Sequence, residues 1–180
     1  MTPEQAAADI QVDIIPTPEP FGALFAQLGI AAVTYAHPAV FTVAEGEGFK
    51  HRIPGGHTKN LFLKDKKDQL WLVTAGAHTS VDLKGLPELI GAGRLSFGSP
   101  ERLMDNLGVT PGSVTPLALI NDTARRVRFV LDEKLTQCNT VNCHPLRNDM
   151  TTCLAPDALL RLLRHWGYDP VLARLEKQGE

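Results

Sequence analysis

Residues 58–74, TKNLFLKDKKDQLWLVT, set two apolar runs on either side of the charged pentapeptide Lys64-Asp65-Lys66-Lys67-Asp68. That pattern predicts a β-hairpin, with strands over Thr58 to Leu63 and Leu70 to Thr74. Alternation along the first strand puts Lys59 on the face that carries Leu61 and Leu63. Further strand signals lie at Val33 to Ala36, Leu95 to Phe97, Thr115 to Ile120, Arg126 to Leu131, Gln137 to Val141 and Met150 to Leu154. Between them fall helices with clear punctuation. Thr17-Pro18-Glu19 predicts a helix start ahead of Leu24, Phe25 and Leu28, with Gly29 as the stop. Ser99-Pro100-Glu101 repeats the device, and Gly108 ends that helix. Leu83 to Ile90 is a weaker helix stopped by Gly91. Pro156-Asp157 opens the last, whose Leu159, Leu160, Leu163 and Trp166 share one face ahead of Gly167. Strands and helices intermix without a βαβ rhythm, which predicts an α+β fold: one domain, a mixed sheet and helices packed around it.

The 180 residues suit a single domain, with residues 1–16 as a flexible lead-in and 17–180 as the folded unit. Hydrophobic residues make up 43% and charged residues 21%, the range of a globular protein rather than a disordered one. No apolar run nears the ~18 residues of a membrane span. Glu4, Asp9 and Asp13 without a basic flank are unlike a secretory signal. Three cysteines without a CxxC pair point to a reducing compartment, and a cytoplasmic location is expected. A formal net charge of −2 excludes a globally basic nucleic-acid binder, so any such contact has to be local.

Several familiar motifs fail. Gly46-x-Gly48 and Gly91-x-Gly93 put His51 and Ser96 where a dinucleotide fingerprint needs its third glycine. Neither a phosphate-binding GxxxxGK[ST] nor a GxSxG nucleophile elbow occurs. Cys138, Cys143 and His144 lack the paired spacing of a zinc site, so structural or incidental roles are expected for Cys138, Cys143 and Cys153; a catalytic Cys143 is the lesser alternative, since nothing near it lowers its pKa.

Three stretches stand apart. Gly55-Gly56 leads into a strand start with Lys59 and Asn60; a lysine beside a pocket is a candidate catalytic or substrate-orienting cation, against the plainer reading of a solvated strand-edge lysine. Pro111-Gly112-Ser113-Val114-Thr115-Pro116 is a loop of restricted shape, able to offer backbone N–H groups to a carbonyl or anion or to serve as a plain turn. In Asn142-Cys143-His144-Pro145-Leu146-Arg147-Asn148, the proline holds His144 extended beside polar neighbours.

Taken in order, HTKNLFL, GAGRLSFGSPERL, PGSVTPLALIND, VRFVLDE and HPLRNDMTT resemble the YbaK/ProX-like aminoacyl-tRNA editing family. Within it they look most like the free-standing prolyl-tRNA editing proteins that deacylate alanyl-tRNA(Pro). The resemblance spans about residues 17 to 175 and implies a single α+β domain with a curved mixed sheet. It also implies hydrolysis of the aminoacyl ester of mischarged tRNA without a cofactor or metal. Lys59 matches the family's essential lysine and Asn60 its neighbour. Gly112, Ser113, Val114, Thr115 and Pro116 match the GxxxP substrate loop, and His144 the histidine of the HP motif. Lys59 and His144 are thus the expected catalytic pair, and Asn60 and the loop the expected substrate contacts. Water, assisted by a hydroxyl of the terminal ribose, is the expected nucleophile.

The chemistry is coherent. A synthetase pocket shaped for proline excludes alanine poorly, because a missing methylene is worth only ~1–3 kcal/mol. A second, smaller pocket can sieve in the opposite direction. The expected partner is the acceptor end of aminoacylated tRNA(Pro), gripped by Lys50, Arg52 and Arg94, with prolyl-tRNA synthetase a second candidate and no DNA or membrane. Hydrolysis of cysteinyl- or seryl-tRNA, and a non-catalytic tRNA-binding module of the same fold, are the competing expectations.

Overall fold

The computed structural model describes residues 10–177. Fourteen helices and strands are labelled here in chain order: β1 (Asp13–Ile15), α1 (Phe21–Leu28), β2 (Ala32–Ala36), α2 (Val43–Gly46), β3 (Thr58–Asp65), β4 (Leu70–Gly76), α3 (Leu86–Ile90), β5 (Leu95–Phe97), α4 (Pro100–Leu107), β6 (Val127–Asp132), β7 (Val141–Cys143), β8 (Met150–Leu154), α5 (Pro156–His165) and β9 (Val171–Ala173). The strands form two sheets. One is four-stranded, antiparallel and ordered β1-β2-β8-β7; the other is five-stranded, mixed and ordered β5-β3-β4-β6-β9. The predicted hairpin is the centre of the larger sheet, with Leu61 opposite Val73 and Leu63 opposite Trp71. β6 adds to β4 in parallel, and β9 to β6.

The unbroken apolar run of β4 follows from burial on both sides. Leu72 joins Phe62, Phe129 and Leu131 in a core shared with the smaller sheet and with α1, α4 and α5. Trp71 and Val73 face the other way, onto Leu86 and Ile90 of α3. A third, smaller cluster of Val40, Phe49, Ile53 and Cys153 fastens the segment around α2 to the outer side of the four-stranded sheet.

The helix stops at Gly29, Gly91 and Gly108 all take left-handed backbone, and Ser99 caps α4 by accepting from the Arg102 amide at 3.2 Å. Three local expectations give way. Residues 116–121 form a 3-10 helix rather than a strand, because the Thr115 hydroxyl accepts from the Leu117 amide and Pro116 opens the turn. Pro116 through Leu119 are all buried, and a fully buried run has no period by which to tell helix from strand. Glu133–Gln137 is likewise a 3-10 turn, capped by Asp132, and its strand begins only at Val141. Thr17 does not cap a helix. Its hydroxyl bonds Thr34, which bonds Thr152 in turn, and α1 starts at Phe21. Of the expected lead-in, residues 13–15 form β1 on the edge of the smaller sheet, and residues 1–9 lie outside the described residues.

One buried acid closes the hairpin. Asp65, 6% exposed, accepts from the Lys67, Gln69 and Gly93 amides and from the Trp71 indole. Burial alone would raise its pKa, but these four donors hold it below the usual carboxylate range. A depressed folded-state pKa stabilises the fold above the unfolded value near 4, and that contribution is lost as pH falls through the folded value. Asp65→Asn is therefore expected to cost about 2 kcal/mol at pH 7 in urea unfolding, with the gap to wild type closing below about pH 4.

Candidate active site

The start of β3 in the larger sheet and His144, just after β7 of the smaller one, reach one cleft because the chain crosses between the sheets just before β3. Gly55 (φ 103°) turns the chain so tightly that a Cβ there would strike the Thr140 hydroxyl and come within 2.8 Å of Asn142 Oδ1. Gly56 then bridges to Val141 in parallel, its amide donating to the Thr140 carbonyl and its carbonyl accepting from the Asn142 amide. Asn142 fixes the crossing. Its Nδ2 donates to the Pro54 carbonyl (3.1 Å) and to His57 Nδ1 (3.3 Å), and its carbonyl accepts from the Thr58 hydroxyl (2.7 Å). His57 in turn donates its Nε2–H to the Lys50 carbonyl. The network links Lys50, the start of β3 and the end of β7.

The cleft is small, about 140 Å³, and Lys50, Lys59, Asn60, Gly112 and His144 all line it. Lys59 and His144, expected to act together, do share one cavity. The Nδ1–H of His144 donates to the Met150 carbonyl at 2.8 Å, which leaves Nε2 as the ring's acceptor. Burial, reinforced by the neighbouring His37 and Lys50, pushes His144 below the usual histidine range, so the ring is neutral at pH 7. His37 stands 6.4 Å from it, centroid to centroid, with its own Nε2 accepting from the Thr151 hydroxyl.

β3 meets the cleft with an unpaired edge. The Phe62 carbonyl accepts from the Gly98 amide on the β5 side, whereas the Asp65 amide donates to Gln69 and the His57 carbonyl accepts from Ala77 on the β4 side. Alternation therefore turns the Asn60 main-chain N–H and C=O toward the β5 side. There β5 pairs only with residues 63–65, so the edge at Asn60 faces the cleft. The Asn60 side chain is engaged elsewhere: its Oδ1 accepts from the Thr74 hydroxyl at 2.6 Å.

The loop contributes less than expected. Gly112 and Val114 line the cleft, but Ser113 and Thr115 are 8% and 0% exposed and Pro116 is buried. The Ser113 amide is spent on the Thr110 carbonyl. These three residues shape the loop from within, because Pro111 starts a 3-10 turn that rotates them into the core.

The basic residues separate. Lys50, expected on the tRNA-facing rim, lies in the cleft itself, its side chain packed so closely on Gly46 that a Cβ there would overlap it. Burial lowers its pKa, partly offset by Glu47. Arg52 points away and donates to the Ile10 carbonyl at 2.6 Å. Arg94 adjoins Leu95, which pairs with Asp65 at the far end of β3, about 20 Å along the strand from Lys59. It shares a second depression with Lys64, Lys66 and Ser96. Cys143 is buried and its thiol is pushed up to about 12, which leaves it no role as a nucleophile. No group of three or more His, Cys, Asp or Glu side chains converges as a metal site among the described residues.

Sequence reading missed Phe41 and His57. Thr42-x-x-Glu45 is a readable capping signature, and it would have placed a short helix directly after Phe41.

Residues 37–162 match the family model described as the aminoacyl-tRNA editing domain. A zebrafish (Danio rerio) protein named prolyl-tRNA synthetase associated domain-containing protein 1 is 39% identical over 148 residues, 81% of this chain and 80% of that one. The prolyl-tRNA editing protein ProX of Acetoanaerobium sticklandii is 34% identical over 146 residues, 79% of this chain and 89% of its own. Among solved structures, a hypothetical protein superposes with a TM-score of 0.71 at 18% identity, covering 88% of this chain and all of that one. A protein proposed as a trans-editing enzyme for prolyl tRNA synthetase superposes at 0.56 and 18%, covering 98% and 99%. At that identity the superpositions speak for the fold alone.

The imidazole geometry makes a direct prediction. Nitrogen-detected NMR of His144 is expected to show the Nδ1–H tautomer at pH 7 and a titration midpoint below 6.5, the ordinary value. A midpoint at or above 6.5 would contradict the buried, neutral ring.

Proposed function

The chain belongs to the aminoacyl-tRNA editing domain family, and we propose that it hydrolyses alanyl-tRNA(Pro). The observation that carries the reading is the meeting of Lys59, His144 and the open β3 edge in one cleft of about 140 Å³. Pockets that enclose a drug-sized ligand run to ~300–1,000 Å³, so this one suits a small aminoacyl group. A small amino acid such as alanine is the one that a proline-shaped synthetase pocket excludes poorly, and a second small pocket is where it would be removed.

An aminoacyl ester is already activated, and the site has to orient it and stabilise charge. The ester carbonyl sits against the β3 edge, where the Asn60 N–H and the Lys59 cation meet the oxygen that becomes negative. His144 Nε2 accepts a hydrogen bond from the attacking water, and a hydroxyl of the terminal ribose assists it. Water adds to the carbonyl carbon, the bond to the ribose oxygen breaks, and that oxygen leaves with a proton. The products are free alanine and a tRNA with its terminal hydroxyl restored. Lys50 raises the positive potential of the cleft and favours the bound end of an RNA.

The tRNA rests on two places. The depression of Lys64, Lys66 and Arg94 takes the paired acceptor stem, where arginine's planar fork suits a base edge or phosphate. The unpaired 3′ nucleotides then run along β3 to the cleft. With few basic contacts, binding is weak and salt-sensitive. The relatives named for association with prolyl-tRNA synthetase make that enzyme the candidate protein partner.

Purified protein is expected to release alanine from Ala-tRNA(Pro), faster than serine or cysteine from the corresponding tRNAs in side-by-side assays. Lys59→Ala is expected to lower kcat/KM by about 100-fold or more, the range for loss of one charge-stabilising group. An unchanged rate in Lys59→Ala would remove the lysine from the mechanism, and equal rates on the three esters would remove the alanine assignment.

A further inference from the structure

A cleft of about 140 Å³ holds an aminoacyl group but not the nucleotide that carries it. The terminal ribose and base must therefore lie at the mouth, and the mouth has one feature unlike a solvated rim. Phe41 is 68% exposed. Six other large apolar side chains among the described residues are exposed, by 42% to 71%, and Phe41 alone of the seven lines the cleft.

Its backbone is held on both sides. Val40, 5% exposed, anchors the preceding position in a hydrophobic cluster, and its amide donates to the Asn148 carbonyl. The Phe41 amide donates to Glu45 Oε2 at 2.7 Å, and the Glu45 amide donates back to the Thr42 hydroxyl at 3.3 Å, a reciprocal cap at the start of α2. The ring leans on Gly112, where a Cβ would come within 2.8 Å of Phe41 Cδ1. An aromatic ring braced by the loop and otherwise open to solvent is pre-organised for stacking, with little conformational freedom left to lose on binding. A protein-docking role fits less well, since the other exposed apolar residues are not part of this cleft and one ring is far from a contiguous patch.

We propose that Phe41 is the platform on which the 3′-terminal adenine of the substrate RNA stacks, which sets the aminoacyl ester at the depth of Lys59. This rests on the deacylase reading above. Stacking recognises the π face of the base, so it adds affinity and register without adding sequence selectivity.

The test uses alanylated acceptor-stem minihelices that end either in adenosine or in an abasic ribose bearing the same ester. Phe41→Ala is expected to lower kcat/KM on the adenosine substrate by roughly 5- to 100-fold, the worth of one base–aromatic stack, mainly through KM. Phe41→Trp is expected to keep most of the activity. On the abasic substrate, wild type and Phe41→Ala are expected to be equal. Thermal midpoints within about 2 °C of wild type would confirm that the variants fold. An equal loss on both substrates would overturn the proposal, assigning the ring to the amino acid or to support of Gly112, and no loss on either would also overturn it. Binding of the uncharged minihelices separates the two readings. A wild type that hydrolyses no ester, yet prefers the adenosine end over the abasic one in a Phe41-dependent way, would sink the deacylase reading and support the stack.

Discussion

Asn142 is the side chain through which the rest of the site is connected. Two sheets with separate hydrogen-bond ladders must be joined where the chain passes from one to the other, and backbone groups at such a crossing are buried and need partners. Asn142 supplies them with its main-chain amide, main-chain carbonyl and side-chain Nδ2, satisfying Gly56, Thr58, Pro54 and His57. The cost is its own Oδ1, which is buried without a hydrogen-bond partner. The orientation of the amide is nonetheless forced. His57 donates from Nε2 to the Lys50 carbonyl, so its Nδ1 can only accept, and a reversed amide would set oxygen against that lone pair and against the Pro54 carbonyl. Lys59 lies three residues beyond Gly56 and His144 two residues beyond Asn142. Their meeting in one cleft is a consequence of the joint.

Charge in the cleft follows from burial rather than from the total. The chain carries a net −2, yet its cleft gathers Lys50 and Lys59 beside the neutral imidazole of His144. Desolvation is the largest influence on His37, His57 and His144 alike, and it keeps all three from adding positive charge. The Nε2 of His144 thus remains an acceptor in the cleft that Lys50 and Lys59 also line. The small volume works in the same direction, because excluding bulk water strengthens each remaining dipole.

The β3–β4 hairpin, the Ser99 cap and the glycine helix stops were legible because each depends on neighbours within a few positions. The 3-10 turn at residues 116–121 was not, since Pro116 to Leu119 are buried on every side and leave no periodicity. Thr17 had the right chemistry for a helix cap but found a better partner in Thr34, far away in sequence. Lys50, Arg52 and Arg94 read alike as basic residues. One lies in the cleft, one ties down the N-terminal segment and one sits a strand's length away, a distinction set by strand register and the α2 turn.

The amino-acid sequence alone was enough for the α+β class, the single hairpin-centred domain and the resemblance to editing proteins, because periodicity, capping residues and ordered motifs are properties of local chain chemistry. It also singled out Lys59, Gly112 and His144. That these three line one cleft, that Ser113, Thr115 and Pro116 turn inward, and that Phe41 stands exposed at its mouth came from long-range packing. Such pairings join residues as far apart in the chain as Pro54 and Asn142, 88 positions, and no local pattern encodes which of many possible partners will share a buried crossing.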